Sequence, residues 1–465
     1  MKVLIINPPS PKFIKNEEKR LLLGPLYLLS ALRNVGHEIS YIDSEVEKIN
    51  IGAKYALLEY IKDVKQRIVR FAPDVVGLSL HFSGILESAL EVAGVVKEIS
   101  REIVTVMGGH HPTIFPQNIL REHENVDFIL KAESEATLVQ LLDCLEHKSD
   151  YSGIDGLVFR RDGIIVENPK RGFIENVDDL PMPAYDMVDF KDYHFDTSRW
   201  FNPKGHQINF SIPLLTSRSC PNRCSFCSMY LMHGQSYRMR SANSVVDEIE
   251  YLYHTYGQRY FSITDDNFTL NKGRILKMAE EVKKRKLDFQ FDAVNGIAMN
   301  TLDAEVMDAL VSMGFIRTFF AVESGSEFIR VKAMRKKLSQ KKVYEVFDLV
   351  RDYPQIRYTV LFIIGFPEET EESLQETYDL IKKYDFKKVA IGFAIPYPGT
   401  QLFEQAVRDG LLTVPLEKLH EFPALYNFSK EPLLRPYNLA PAKLVAFRER
   451  AYQEVNLKYN QSTNY

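Results

Sequence analysis

The chain has 465 residues, 45% of them hydrophobic and 26% charged, with a formal net charge of −4. That length holds two or three domains, each with its own core, and the near balance of charge argues against a nucleic-acid partner or an acidic tail. Four cysteines without a paired framework exclude a secreted disulfide scaffold and point to a reducing, cytoplasmic compartment, while no apolar stretch is long enough for a transmembrane segment.

The opening run Met1-Lys2-Val3-Leu4-Ile5-Ile6-Asn7-Pro8-Pro9 is too short for a signal peptide and reads as a strand ending in a proline turn. Residues 1–150 alternate short apolar runs (3–7, 38–43, 74–80, 104–108 and 126–131) with amphipathic stretches such as 21–35 and 85–100. Such alternation predicts a doubly wound, flavodoxin-like parallel sheet, which binds ligands at the carboxyl edge of its strands. The loops at that edge hold Pro9 and Ser10, Ser83, the run Gly108-Gly109-His110-His111-Pro112-Thr113, and Glu133-Ser134-Glu135. Paired glycines let backbone approach a bulky ligand. Each loop taken alone also reads as turn punctuation or solvated side chains. Cys144 is isolated on the last helical pattern of this half and reads as a core residue.

Residues 151–205 read as a linker with one hairpin, turning at Asp162-Gly163, and a proline-stiffened lead-in at 178–183. From 206 to 405, six further strand patterns (212–217, 260–264, 289–295, 318–322, 357–364 and 389–394) end in polar or glycine residues. This predicts a partial TIM-type barrel with its chemistry at the carboxyl ends. Those ends carry Asp265, Asp266 and Asn267, then Glu323, then Gly365 with Glu368 and Glu369. Each carboxylate also opens a helical pattern and so reads alternatively as an N-cap, the role expected of Glu368 and Glu369. The basic run 330–342 reads as a solvated helix face. Residues 406–465 look helical between prolines and suggest a small cap over the open side of the barrel.

Three of the four cysteines fall on one loop as Cys220-Pro-Asn-Arg-Cys224-Ser-Phe-Cys227. Thiolates so spaced can hold three corners of a four-iron, four-sulfur (4Fe–4S) cluster, leaving the fourth iron open to a small molecule. The alternative is a structural zinc with His206 or His233 as fourth ligand, although such sites usually carry two close ligand pairs.

The cysteine loop resembles the signature of the radical S-adenosylmethionine enzymes, Cys-x3-Cys-x2-Cys with an aromatic, here Phe226, before the last cysteine. Upstream, Asn7-Pro8-Pro9, the runs at 24–29, 36–38 and 73–79, and 108–113 resemble in order the cobalamin-binding domain of the cobalamin-dependent members. Two departures stand out. The family's Gly-Glu-Gly-Glu is Ala132-Glu133-Ser134-Glu135 here, and the Asp-x-His-x-x-Gly motif whose histidine ligates cobalt is absent. Some relatives keep this fold without the cofactor.

The resemblance implies a Rossmann-like cobalamin-binding domain (1–150), the linker, a partial (β/α)6 radical barrel and a small helical cap. It implies that Cys220, Cys224 and Cys227 ligate the cluster, and that S-adenosylmethionine meets Phe226, Asp265, Asp266, Asn267, Glu323 and Gly365. Cobalamin would meet Pro9, Ser10, Ser83, Gly108, Gly109, His110, His111, Thr113, Glu133 and Glu135. A 5′-deoxyadenosyl radical then activates an unactivated carbon of a small-molecule or lipid-like substrate for C-methylation, with electrons from a partner such as flavodoxin or ferredoxin. Oxidative cyclisation or ring rearrangement without methyl transfer is the alternative. A methylthiotransferase would carry three further cysteines in the N-terminal domain, where only Cys144 stands.

Overall fold

The computed structural model describes residues 1–9, 20–44, 46, 54–81, 83–194, 197–198, 200–416 and 431–455, with backbone alone for 54–58. The chain divides into two compact units: Met1–Asp196 with Leu231–Gly234, and Thr197–Tyr230 with Gln235–Tyr465.

In the first unit the apolar runs form parallel strands β1 (Lys2–Asn7), β2 (Glu38–Asp43), β3 (Val75–Leu80), β4 (Val104–Gly109) and β5 (Phe128–Leu130). Central strands covered on both faces need unbroken apolar sequence rather than alternation. Val3, Leu4, Ile5 and Ile6 of β1 and Val75 and Val76 of β3 are accordingly buried. The order β2-β1-β3-β4-β5 is the flavodoxin-like one, whose direction reverses between β1 and β3 and opens a crevice at their carboxyl ends.

The hairpin is not a connector. Strands β6 (Leu157–Arg161) and β7 (Ile164–Glu167) extend the first sheet antiparallel to β5, giving seven strands in all. Leu157, Val158 and Phe159 are fully buried, and an isolated two-stranded hairpin would leave that apolar face in water. Asp162 and Gly163 both take positive φ (51° and 76°), as a tight primed turn requires. The segment beyond the hairpin also packs back on this unit. Ala184 donates to the Leu26 carbonyl at 3.1 Å, and the Tyr193 hydroxyl donates to Asp43.

The second unit begins with β8 (Ile212–Leu214) and a short antiparallel pair, β9 (Ser217–Arg218) and β10 (Arg238–Met239), which brackets the cysteine loop. Strands β11 (Tyr260–Ile263), β12 (Gln290–Ala293), β13 (Phe315–Glu323), β14 (Arg357–Ile364) and β15 (Val389–Phe393) follow. With β8 they form a six-stranded parallel sheet in the order β15-β14-β13-β12-β11-β8, an open partial barrel.

The intervening helices start at Ser241, Asn271, Asp303, Ser339 and Thr370, whose side chains each accept a backbone N–H of the first turn. Thr370 also forms a reciprocal capping box with Ser373. Thr370, rather than Glu368 or Glu369, therefore caps the helix after β14. The C-terminal helix Pro441–Glu454 covers edge strand β15, where the Tyr452 hydroxyl accepts from Ile391 N–H (2.9 Å) and donates to its carbonyl (3.2 Å). Residues 417–430 and 456–465, expected to be helical, lie outside the described residues. Cys144 is half-exposed rather than core, its thiol 3.6 Å from the Asp150 carbonyl.

Gly314 closes the helix Ala304–Met313 in the left-handed region (φ +101°), where an added Cβ would stand 2.1 Å from the Phe289 carbonyl oxygen. Gly314→Ala is expected to cost about 3 kcal/mol through backbone strain and displacement of β12. The check is thermal unfolding followed by circular dichroism, and an unchanged midpoint would contradict this account.

Candidate active site

In the first unit the expected ligand loops follow β1, β3, β4 and β5 at the carboxyl edge of the sheet, and several of their groups are hydrogen-bonded within the unit. The Pro9 carbonyl accepts from the Ser88 hydroxyl at 2.9 Å, and Asn7 donates to Asp43 at 2.8 Å. Ser10 lies outside the described residues. Gly109 sits at φ +109° with β3 so close that a Cβ would be 2.2 Å from the Leu80 carbonyl oxygen. Its lack of a side chain therefore serves the sheet itself. The Thr113 hydroxyl donates to the Gly109 carbonyl (2.7 Å) and accepts from Ala132 N–H (2.8 Å), pinning two loops together. Ala132, where the family has glycine, nevertheless takes φ +60°.

Several of the residues expected to meet cobalamin also have partners within the protein. His111 is buried with its ring 5.0 Å from that of Phe115, Thr113 is a loop tie, and Glu133 faces His233 Nδ1 at 3.2 Å while accepting from Ile174 N–H at 3.3 Å. Glu135 is buried in the first turn of the helix Glu135–Glu146. Ser83, Gly108, Gly109 and His110 keep partial exposure at the edge. Burial, then His233, pushes His110 down to about 4, and burial, then His110 and Arg20, pushes His81 down to about 3. Both imidazoles stay neutral at physiological pH. A crevice edged by neutral imidazoles, a hydroxyl and glycine backbone fits an amide-fringed corrin better than a charged phosphate ligand.

In the second unit the cysteine loop is anchored at both ends and in its middle. Ser219 turns the chain at φ +72°. Ser225 N–H donates to the Met334 carbonyl (2.9 Å), its hydroxyl donates to Ala333 (2.8 Å), and its carbonyl accepts from Leu402 N–H (2.9 Å). Cys227 N–H donates to the Cys224 carbonyl at 3.1 Å. The segment that receives Ser225 is the wide turn Phe328–Ala333, a π-helical conformation often found beside functional sites.

All three cysteines are partly exposed as residues and free of disulfides. Burial around the sulfurs, the leading cause, pushes Cys224 up to about 12 and Cys227 up to about 11. Without metal these are thiols, so iron binding must displace protons and is favoured by nearby cations. Lys336 is such a cation: it draws Cys224 downward and donates to Glu323 Oε1 at 2.9 Å. The donor set therefore fits a cluster held by three thiolates. His206 and His233, the fourth ligands the zinc reading named, each face a carboxylate: His206 lies 3.6 Å from Asp288 and His233 lies 3.2 Å from Glu133. Among the described residues, no three His, Cys, Asp or Glu side chains close on a single ion.

The strand ends differ in role from one another. Asp265, expected to meet the methionine ammonium, is turned inward and fully engaged. It accepts from Thr216 N–H (2.6 Å), the Thr216 hydroxyl (2.6 Å) and the Ser217 hydroxyl (2.5 Å), with Arg274 at 3.7 Å. Asp266 lies near enough to Cys227 to raise its pKa, and Asn267 donates from Nδ2 to Cys220 Sγ at 3.3 Å. Glu323, expected at the ribose, sits at φ +71° where the β13–β14 register shifts, and pairs with Lys336. Gly365 takes φ +91°, and a Cβ there would be 3.0 Å from Leu444 of the C-terminal helix, so its bareness admits that helix. The Phe226 ring packs edge-on against Phe366 at 5.9 Å within an apolar cluster containing Leu402 and Met334.

Sequence reasoning passed over Ser225, Arg274, Lys336 and the buried Arg330. Arg330, read as part of a solvated face, donates to the Leu338 carbonyl and Gln340 (2.7 Å each) and to the Ser324 carbonyl.

The family model described as the radical SAM superfamily matches residues 214–381, and the B12 binding domain matches residues 22–142. An uncharacterised methyltransferase of Pyrococcus horikoshii is 31% identical over 414 residues, 89% of this chain and 84% of its own. Cytidylyl-2-hydroxyethylphosphonate methyltransferase of Streptomyces wedmorensis is 26% identical over 90% of this chain and 84% of its own. The solved structure of TsrM from Kitasatospora setae, a radical S-adenosylmethionine methyltransferase with cobalamin and a 4Fe–4S cluster bound, shares the fold. It aligns with TM-score 0.66 at 19% identity over 98% of this chain and 82% of that one.

Two outcomes follow from this geometry. Asp265→Asn keeps the shape but leaves Arg274 without its buried countercharge, which is expected to cost about 3 kcal/mol and to reduce iron retention after reconstitution. Thermal unfolding and iron analysis check this, and full retention of both would sink the anchoring role. Glu369 is buried, accepting from Gly365 N–H at 3.3 Å and from the Ser373 hydroxyl, and burial raises it from 4.5 to about 7. Between those values the folded protein holds a proton that the unfolded chain has released. Its contribution to stability is therefore complete below pH 4.5, declines as pH rises to about 7 and is flat above, a span of roughly 3 kcal/mol. Glu369→Gln should remove that slope in urea titrations over this range, and parallel profiles for the two proteins would contradict it.

Proposed function

Because the chain belongs to the radical S-adenosylmethionine superfamily and carries a B12 binding domain, we propose that it is a cobalamin-dependent C-methyltransferase acting on an unactivated carbon of a small or lipid-like substrate. The observation that carries this reading is one short loop that bears Cys220, Cys224 and Cys227, all free of disulfides and anchored through Ser225. Both sequence relatives above are named as methyltransferases, which favours methyl transfer over ring closure.

When bound, the cluster supplies the electron that splits the sulfonium cosubstrate to a 5′-deoxyadenosyl radical, and cobalamin supplies the methyl group. The chain's residues have the other tasks. Cys220, Cys224 and Cys227 hold the cluster through deprotonated sulfurs. Lys336 offsets their negative charge and is itself held by Glu323. Beyond β11, Asp266 lies near Cys227 and Asn267 turns its side-chain nitrogen to Cys220, so that the Asp266 carboxylate and the Asn267 side-chain oxygen offer acceptors to the cosubstrate ammonium. Neutral His110 and His81, with Ser83 and Gly108, line the cobalamin edge without adding charge. Four cysteines free of disulfides suit a reducing cytoplasm and a small electron carrier such as flavodoxin or ferredoxin. Among the described residues no helix is long and apolar enough to cross a membrane.

Anaerobic incubation with S-adenosylmethionine and reductant should yield 5′-deoxyadenosine, and with cobalamin also S-adenosylhomocysteine, both read by mass spectrometry. Cys224→Ala is expected to reduce both to background. Deoxyadenosine formed by the variant at the wild-type rate would overturn the cluster assignment, and a rearranged, unmethylated product without S-adenosylhomocysteine would overturn methyl transfer.

A further inference from the structure

Asn267 stands at the head of the short turn Phe268–Leu270, where an asparagine ordinarily caps the turn with its side-chain oxygen. Here the side chain makes no cap. Its nitrogen instead donates to Cys220 Sγ at 3.3 Å, and its oxygen is buried without a hydrogen-bond partner. The whole residue is 4% exposed. This orientation suits a sulfur that ligates iron, which accepts a hydrogen bond that only the amide nitrogen can donate. The neighbouring backbone is rigid, because Asp265 is tied to Thr216, Ser217 and Arg274. A buried amide oxygen without a donor is rare in folded proteins and signals a missing partner.

We propose that Asn267 is a positioning residue that couples occupancy of the cosubstrate site to the reduction potential of the cluster. The inference rests on the cluster reading above. An N–H donated to a ligating sulfur stabilises the more negative, reduced state and so raises the potential. A cosubstrate ammonium donating to Oδ1 polarises the same amide, and a polarised amide is the stronger N–H donor. Binding of S-adenosylmethionine thereby makes the cluster easier to reduce, and electrons from the reductant are accepted chiefly when the molecule to be cleaved is in place. Asp266 cannot act this way, having no N–H to give.

The test is a potentiometric titration of the anaerobically reconstituted full-length protein, followed by electron paramagnetic resonance, with and without S-adenosylmethionine. Iron and sulfide content and circular dichroism are measured on the same samples. Asn267→Asp preserves size and replaces the donor by an acceptor. It is expected to lower the reduction equilibrium constant at least tenfold, about 59 mV for one electron, and to abolish the rise on adding S-adenosylmethionine. Asn267→Ala should lose the same rise with a smaller fall, and it carries the test if the aspartate variant does not retain iron. Wild-type midpoints and wild-type response in a fully loaded variant would overturn the proposal. A wild-type protein that takes up no cluster would instead refute the functional reading on which it rests.

Discussion

One buried carboxylate fixes where the cysteine loop leaves the barrel. Asp265 closes β11 and reaches across to β8's continuation, taking a backbone N–H and two hydroxyls from Thr216 and Ser217. A carboxylate buried this deeply is costly unless it is hydrogen-bonded and paired, and here it accepts three hydrogen bonds and has Arg274 as countercharge. Arg274 in turn donates to the Thr216 carbonyl (2.7 Å) and the Phe268 carbonyl (2.9 Å), so one ion pair joins the start of the cysteine loop to the turn after β11. The consequence is geometric: Cys220 and Asn267, 47 positions apart, are brought within 3.3 Å.

The far end of the loop is held differently. Ser225 ties it to the wide turn at 328–334 and to the helix Gln401–Arg408, using backbone groups that ladder hydrogen bonds leave free. Lys336 lies just beyond that wide turn and is locked onto Glu323. The positive φ of Glu323 and the register shift in β13–β14 turn its carboxylate toward Lys336 rather than along the sheet. Backbone strain of this kind persists only where the surroundings enforce it. The result is a cation stationed beside thiols whose burial resists ionisation, which eases the deprotonation that iron ligation demands.

How far the sequence was legible follows from which forces act locally. Strand runs such as 3–7 and 74–80 came within a residue of the observed elements, since a sheet covered on both faces leaves a one-dimensional apolar signature. The cysteine spacing was equally plain, because all three sulfurs come from one loop. The hairpin at 157–167 was recognised but misplaced as linker. Its turn is a local signal, whereas its docking on β5 depends on a partner strand some thirty residues away. Roles at strand ends are hard to read from sequence for the same reason. Nothing adjacent to Asp265 reveals that it faces inward, and nothing adjacent to Asp266 reveals that it does not. Ser225 and Lys336 left no pattern because their partners are distant and largely backbone.

The histidines show the same principle at work in the first unit. A pair such as His110-His111 suggests two equivalent ligands, yet neighbours in sequence on a helix point to different faces. His111 goes into the core against Phe115, while His110 stays at the crevice, held neutral by burial and by His233. A protonated imidazole there would set a fixed charge at the carboxyl edge of the sheet, beyond β4. Keeping it neutral leaves the crevice suited to a ligand bound through amides and shape, and leaves any charge at the site to be set by the metal that the ligand brings.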